Sequence, residues 1–537
     1  MQRNRKLALA GALLIPVVGG GFFLQARPQR EGAALLDQVM TLVAERFVDT
    51  LPQPDVYEKA AAGLVKELND PYSELLTPRD LKQFNSRTGG RYGGLGMLIE
   101  PEPVTKTVRV VTVYPNTPAE AGGVHEGDLI IRVDTVPTRG WTINQVSDSL
   151  TGTPGTKVKV TFARPGVATP INATFTRAII RIPAVPYTLT FNDKIGYVPL
   201  QQFNENAAEN AMLAIRALEA KGAKSLIIDL RGDPGGILEQ SLQVANMFIP
   251  QGQLIASVKG REGPMQVESA KTTPIAPSIP LVVLTDERTA SASEIVAGAL
   301  QDHDRALVVG TTSFGKGLVQ GVYSLDGGYA LKLTTGKWFT PSGRSIQRPR
   351  KFVNGQFVEE QPDTTETNVS KKTRPAYKSD AGRTVYGGGG ITPDVIVADD
   401  TLTTPEQQFA RAVAPKSQEF RSTLEDYSME LGKSVQPNFT VQPAWMNEFY
   451  NRLQTKGVTT DRKQYDGASR YISRLLDQRV AHYAFGDSSA KRRDLPYDAT
   501  LRKAIDLLEK GNTQRDLFAM AGEPLANGNR ATPPKKP

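Results

Sequence analysis

The chain has 537 residues, a net charge of +8, 39% apolar and 22% charged residues, and no cysteine. That length exceeds a single core and calls for about three or four domains. The missing cysteine excludes disulfides, thiolate metal sites and thiol catalysis, and three histidines far apart in sequence (His125, His303 and His482) supply no metal cluster. The basic residues are dispersed, with short clusters such as Lys491-Arg492-Arg493, which fits a mild attraction to anionic membrane surfaces better than a nucleic-acid groove.

Arg3, Arg5 and Lys6 precede an uncharged run from Leu7 to Gln25, the basic-then-apolar order of a secretory signal. Pro16 and Gly19-Gly20-Gly21 interrupt a run already at the lower limit for spanning a bilayer. Residues 1–26 are therefore a signal peptide or a membrane anchor, and either one places the body of the protein outside the cytoplasm. Residues 27–90 read as helical, with Leu35, Leu36, Val39, Met40, Val43 and Phe47 at three- and four-residue spacing. A second helix carrying Ala61, Leu64, Val65 and Leu68 stops at Asn69-Asp70-Pro71. Residues 91–168 turn β-rich, with strands expected at 98–99, 108–113, 129–133 and 158–162 and a helix at 142–150. A connecting strand over 174–185 follows.

Within 169–400, apolar strands at 194–198, 225–230, 281–284 and 306–309 alternate with helices at 204–221, 236–248 and 293–300. This is the pattern of an α/β domain with a largely parallel, covered sheet. A further strand is expected at 329–335. Residues 347–385 are polar and proline-interrupted and read as a surface insertion of the kind that stays disordered. Residues 401–521 form an amphipathic helical region with Phe449, Leu453, Tyr471, Ile472, Leu475, Leu476, Ile505, Leu507 and Leu508 as candidate core, and 522–537 a flexible tail.

The chemistry concentrates between Thr289 and Gln320. Ser291 follows a buried strand and opens a helix, where unpaired N–H groups and the positive end of the dipole would stabilise an oxyanion. Taken alone, Ser291 also fits a plain helix cap. His303 stands about twelve residues along the same helix, or ~18 Å away, and reads as a solvated or capping residue. Lys316, between Gly315 and Gly317, lies after the neighbouring strand, where parallel strands bring their carboxyl ends together. A lysine serves as a base only if its surroundings lower its pKa from the usual ~10.4, and Phe314, Leu318 and Val319 could provide such a setting. Gln320 follows at an even spacing, so on a strand it would share a side with Lys316 and accept from it. A surface lysine and a solvated glutamine are the local alternatives. A second glycine turn, Asp229-Leu230-Arg231-Gly232-Asp233-Pro234-Gly235-Gly236, opens the preceding helix and lets backbone N–H groups approach a ligand. It lacks the lysine and serine/threonine of a phosphate-binding loop.

These residues resemble the active-site signature of carboxyl-terminal processing peptidases, the tail-specific serine proteases: Thr289-Ala290-Ser291-Ala292-Ser293-Glu294, Gly315-Lys316-Gly317 and Gln320. Asp70-Pro71-Tyr72-Ser73, Asp229-Leu230-Arg231 with Gly235-Gly236, the segment 340–347 and Gly389-Gly390-Ile391-Thr392-Pro393-Asp394 match further blocks in the same order. The resemblance implies an α/β fold with a crotonase/ClpP-like protease core, an inserted PDZ domain, an N-terminal helical segment and a C-terminal helical extension. It implies Ser291 as nucleophile, Lys316 as general base, Gln320 as its orienter, and backbone N–H groups of Ala292 and of Gly235 or Gly236 as the oxyanion hole. Residues 93–164 resemble a PDZ domain whose carboxylate-binding loop contains Gly94, Leu95, Gly96 and Met97. Leu95, Met97 and Ile99 would line a pocket for apolar terminal side chains, while His125 reads as an exposed turn residue.

The expectation is an exported serine endopeptidase that binds protein and peptide C-termini, with no cofactor, no metal and no nucleic-acid partner. Homo-oligomerisation and membrane association through the N-terminus stay open. The alternative is a catalytically silent PDZ-containing envelope scaffold or chaperone, which would have no need to keep the serine, lysine and glutamine together.

Overall fold

A computed structural model describes residues 27–525 except 103–104, 354–355, 361–365, 368, 399, 459 and 523–524. The expected signal or anchor at 1–26 and nearly all of the tail lie outside these residues. The chain divides into two compact units. One takes the segments up to Leu81, Gln320–Thr334 and Phe352–Phe357; the other takes Lys82–Val319, Thr335–Lys351 and Val358 onward.

In the first unit, α1 (Arg27–Arg46) and α2 (Gln53–Lys66) carry the predicted apolar stripes. Met40 and Val56 are buried, whereas Leu35, Leu36, Leu42, Phe47 and Leu64 are half-exposed or more. The turn at Asn69-Asp70-Pro71 closes as expected: Asn69 adopts φ 53°, a left-handed conformation that asparagine tolerates better than most residues. β1 (Glu74–Leu76) then pairs antiparallel with residues 330–332.

The second unit opens with the PDZ-like module. β2 (Arg91–Gly94) leads through a tight turn into β3 (Met97–Glu102), β4 (Thr107–Val113) and β5 (Leu129–Val133). Helix α3 (Ile143–Leu150), with a Thr142–Gln145 capping box, precedes β6 (Lys157–Ala163), β7 (Ile171–Thr176) and β8 (Ala178–Arg181). The sheet order is β3-β4-β5-β6-β7, so β3 is an edge strand. The expected connecting strand is in fact two strands of this module. Phe175 on β7 is buried against Phe162 (ring centroids 6.1 Å apart), and β8 returns to pair with β2, which carries the module past residue 168.

The core is a six-stranded sheet in the order β9 (Leu189–Phe191), β10 (Ile195–Pro199), β11 (Ser225–Asp229), β12 (Leu281–Thr285), β13 (Leu307–Gly310) and β14 (Val395–Ile396). All neighbours pair in parallel except β9 with β10. One face packs against α4 (Ala207–Ala220), α5 (Leu238–Asn246) and α6 (Ala292–Asp302) through Ile215, Leu242, Ile295 and Leu300. Strands buried on both faces read as continuous apolar runs, which is why 225–230 and 281–284 show no alternation.

The other face is covered by the chain's own C-terminal helices. Leu501, Ile505, Leu507 and Leu508 of α9 and Leu517 and Phe518 of α10 pack on Ile227, Val282, Leu284 and Leu307; before them come α7 (Ser417–Gly432) and α8 (Ser469–Phe485), and α9 and α10 span Ala499–Lys510 and Gln514–Met520. Helices α7 and α8, with 404–413 and 443–455, enclose a separate aromatic core around Phe409, Tyr427, Phe449 and Tyr465. Of the candidate core residues, Phe449, Leu453, Ile472 and Leu476 are buried there, with Tyr471 and Leu475 partly covered.

The polar stretch 347–385 departs from expectation. Among its described residues, Ala376–Lys378 and Thr384–Tyr386 form a hairpin, and Arg383 is buried between Asp304 and Asp394 (both 2.6 Å). Paired charges, rather than apolar residues, fix this segment to the core, so hydropathy alone misreads it.

Candidate active site

Ser291 sits on the sharp turn between β12 and α6 with φ 55° and ψ −113°. A non-glycine residue held there costs about 1–3 kcal/mol, which the surrounding packing must over-determine. Strand–turn–helix geometry of this kind presents a serine hydroxyl at the carboxyl edge of a sheet. Against it lies the glycine turn that follows β11. A Cβ added to Gly235 (φ 89°) would come within 2.5 Å of the Ala290 carbonyl, 2.8 Å of the Ala292 nitrogen and 3.0 Å of Ser291 Cβ. A Cβ on Gly236 would meet the Phe203 carbonyl at 2.3 Å. Only glycine lets these two turns touch. The two candidate oxyanion donors of that turn also differ: Gly235 N–H already donates to Asp233 Oδ1 (2.8 Å).

Lys316 lies in the loop 311–317 that follows β13. The strand after it begins only at Leu318, so the alternation argument that put Lys316 and Gln320 on one side of a strand does not apply. What joins Lys316 to Ser291 is Glu294. This fully buried carboxylate accepts from Ser291 N–H (2.8 Å) and Lys316 N–H (2.9 Å) on Oε2, and from Gly315 N–H (2.6 Å) and Ser313 Oγ (2.5 Å) on Oε1. Burial pushes its pKa up, and those four donors, Ser313 foremost, pull it back toward the charged form. The peptide after Lys316 is pinned too: Trp338 Nε1 donates to the Lys316 carbonyl and Trp338 N–H to that of Gly317, both at 3.0 Å. Ser313 Oγ in turn accepts from Ile391 N–H (2.6 Å), which gives the Gly389–Asp394 block its place behind the lysine loop.

Sequence reasoning assigned no role to Glu294, although its spacing from Ser291 is that of a capping box. Trp338 carried no such signal. His303 caps the C-terminus of α6 and is half-buried, with ring contacts to Asp380 and the Leu254 carbonyl. His125 is exposed as expected.

Gln320 belongs to the first unit. Its Nε2 donates to Thr334 Oγ1 (3.3 Å), Thr334 Oγ1 donates to Asp70 Oδ2 (2.5 Å), and Ser73 Oγ donates to the same oxygen (2.6 Å). Asp70 and Ser73 of the Asp-Pro-Tyr-Ser block thus fix one end of the Gln320 amide and leave the carbonyl end as its acceptor.

In the PDZ-like module, Leu95 and Met97 are buried in its core, Ile99 is partly buried, and Leu98 projects from the edge strand. Gly96 has φ 89°, and a Cβ there would strike Thr117 at 2.3 Å. The Gly96 and Leu95 carbonyls are engaged by Tyr114 and Ala119 N–H groups (2.9 and 2.8 Å). The Tyr92 phenol faces the Met97 and Gly96 N–H groups: burial, with Tyr114 beside it, drives its pKa up to about 12 while those N–H groups oppose the rise. Successive N–H groups that favour a negative oxygen are what a carboxylate nest requires.

Among the described residues, no cluster of histidine and carboxylate side chains could hold a metal ion.

Residues 194–354 match the model of peptidase family S41, and residues 109–164 that of a PDZ domain. A carboxy-terminal-processing protease of Bartonella bacilliformis is 35% identical over 318 residues, covering 58% of this chain and 72% of that protein. The carboxy-terminal processing protease CtpA of Bacillus subtilis is 31% identical over 396 residues, 72% of this chain and 84% of its own. A carboxyl-terminal-processing protease of a Picosynechococcus species is 33% identical over 369 residues, 65% and 88% of the two chains. The protein therefore belongs to the carboxyl-terminal processing proteases, PDZ-bearing serine peptidases of family S41.

Proposed function

We propose that the chain is an exported endopeptidase in which Ser291 attacks the scissile carbonyl, Lys316 takes the hydroxyl proton and returns it to the leaving amine, and Gln320 aims the lysine. The Ala292 N–H, with Gly235 or Gly236, holds the developing oxyanion, and water then hydrolyses the acyl-enzyme. The observation that carries this reading is Glu294, whose one carboxylate fastens the backbone of Ser291 and of Lys316. A serine serving only as a helix cap has no use for such a bond to a distant lysine loop.

Substrate chains are selected by their C-termini: the free carboxylate enters the nest at Gly94–Met97 and the peptide adds to the open edge of β3. Two peptides identical except for a free or amidated C-terminus test this. The free acid is cleaved faster by at least about tenfold, and equal rates refute C-terminal recognition. The basic and apolar order of residues 1–26 supports an extracytoplasmic location, through a signal or an anchor. No described helix is long and apolar enough to cross a membrane. The half-exposed apolar face of α1 and α2 supports association of this segment with a second copy of the chain or with a membrane surface.

A further inference from the structure

Asp233 has a place in this site that the proposed mechanism does not use. It sits in the turn after β11, fully buried, two residues before the glycine packed on Ser291. Its Oδ1 accepts from Gly235 N–H at 2.8 Å. Its carbonyl accepts from Ala290 N–H (3.0 Å) and Ser293 Oγ (3.1 Å), so the same residue ties the glycine turn to both sides of the serine. Its Oδ2 is buried and has no hydrogen-bond partner among the described residues. A bare carboxylate oxygen in that position carries the whole desolvation penalty of a charge, whereas a protonated one carries far less.

Among the described residues, no cation is paired with it. On its own loop, Arg231 is engaged with Asp229 and Asp498. On the turn after β12, Asp286 adds a negative charge and Arg288 is engaged with it at 3.0 Å. On α6, Glu294 is another carboxylate, turned toward Ser291 and the lysine loop that carries Lys316.

From this geometry we propose that Asp233 is a positioning residue that holds the oxyanion turn as a neutral carboxylic acid, and that its ionisation switches the turn off. This rests on the reading of Ser291 as nucleophile. Deprotonation would strengthen the grip on Gly235 N–H, because a hydrogen bond to a charged acceptor is about twice as strong as a neutral one. It would also set a negative charge one turn behind the place where the substrate oxygen becomes negative, against which like charge is repelled. Burial pushes this carboxyl up to about 8, with the Gly235 N–H and the nearby Ser293 hydroxyl opposing and Asp286 adding to the rise, so the change falls within reach of an ordinary assay.

The test is the pH profile of kcat/KM on a fluorescently labelled casein, run beside covalent labelling of Ser291 by a fluorophosphonate probe. Losing the proton from the general base gives a limb that rises with pH. Losing the proton from Asp233 gives one that falls. Glu294 cannot mimic the fall, since its four donors act on the charged form and its ionisation could only add a rising limb. The wild type should therefore give a bell, down roughly thirtyfold from its maximum by about pH 9.5. Asp233→Asn keeps the Oδ1 acceptor without an ionisable proton, and should keep the rising limb and lose the falling one. Asp233→Ala, which removes the acceptor, should lower kcat at every pH more than KM changes, and Asp233→Asn should rescue it. A wild type with no falling limb, or a falling limb unchanged in Asp233→Asn, overturns the inference while Ser291 labelling stands. If the wild type neither cleaves casein nor labels at Ser291 at any pH, the protease reading falls and this inference with it.

Discussion

At the scale of single residues, the site depends on two buried acids used in opposite ways. Glu294 accepts four donors, which favour its charged form against burial, whereas the Asp233 carboxyl accepts from Gly235 N–H on one oxygen and leaves the other bare, so that burial favours its neutral form. Glu294→Gln keeps the shape but turns an amide N–H₂ toward groups that are themselves donors. Leaving a buried donor unpaired costs about 1–3 kcal/mol, and a misaligned nucleophile and base lose about a hundredfold in rate. Peptide hydrolysis and melting temperature measured together check this: kcat should fall by about two orders of magnitude with a loss of a few degrees in Tm. The serine and lysine turns were legible as motifs, and Ser291 alone also fitted a helix cap, but Glu294 received no role. Glu294's second partner was not legible, because the lysine loop is brought to it by the parallel register of β12 and β13 and not by proximity in the chain. The state of Asp233 was equally hidden, since nothing in Gly-Asp-Pro-Gly reveals that one carboxyl oxygen is left without a partner.

At the scale of elements, the C-terminal helices do two jobs that their periodicity could not distinguish. Helices α9 and α10 cover the second face of the core sheet, while α7 and α8 dock on the PDZ module. That second contact is ionic. Arg109 on β4 is buried between Glu102 (2.6 Å), Asp426 (2.7 Å) and Ser422 (3.2 Å). Arg109→Met takes the cationic partner away from the buried Glu102 carboxylate, a change that costs about 3–5 kcal/mol, and hydrogen exchange should show α7 and β4 losing protection together. His482 on α8 pairs with Asp487 and with Glu126 of the module, and those hydrogen bonds, against burial, raise its pKa to about 9. Because the docked value lies above the unpaired one, this contribution is complete below about pH 6.5 and is lost as pH rises through about 9. Measured against the intrinsic exchange rate at each pH, protection of the 126–128 turn should therefore fall between neutral pH and pH 9.5, and in His482→Ala it should be low at both. The polar segment 347–385 misled for a related reason: its Arg383 finds buried carboxylates outside the segment, on Asp304 and Asp394, and its Arg348 pairs with Glu359 within it, pairings invisible in a hydropathy reading.

At the scale of the whole molecule, one chain combines a parallel sheet that places two loops at its carboxyl edge with a module that has an open strand edge and a buried Tyr92 phenol facing the Gly96 and Met97 N–H groups. The periods of the apolar residues pointed to a compact β-rich module and a parallel α/β domain, while the PDZ and protease character of the two came from the resemblance of their motifs to a known family. The module's true end, two strands further on, was hidden because Ile171, Ala173 and Phe175 alternate as any connecting strand might. Everything proposed for this molecule turns on whether Ser291 and Lys316 cut as a pair. The direct measurement is the initial rate of cleavage of one free-acid peptide by the wild type, Ser291→Ala and Lys316→Ala, with circular dichroism confirming that each variant is folded. Each substitution alone should lower the rate at least about a thousandfold, and to a similar floor, as expected for groups that act as a unit. A folded Lys316→Ala protein that still cleaves at a tenth of the wild-type rate would contradict the pairing.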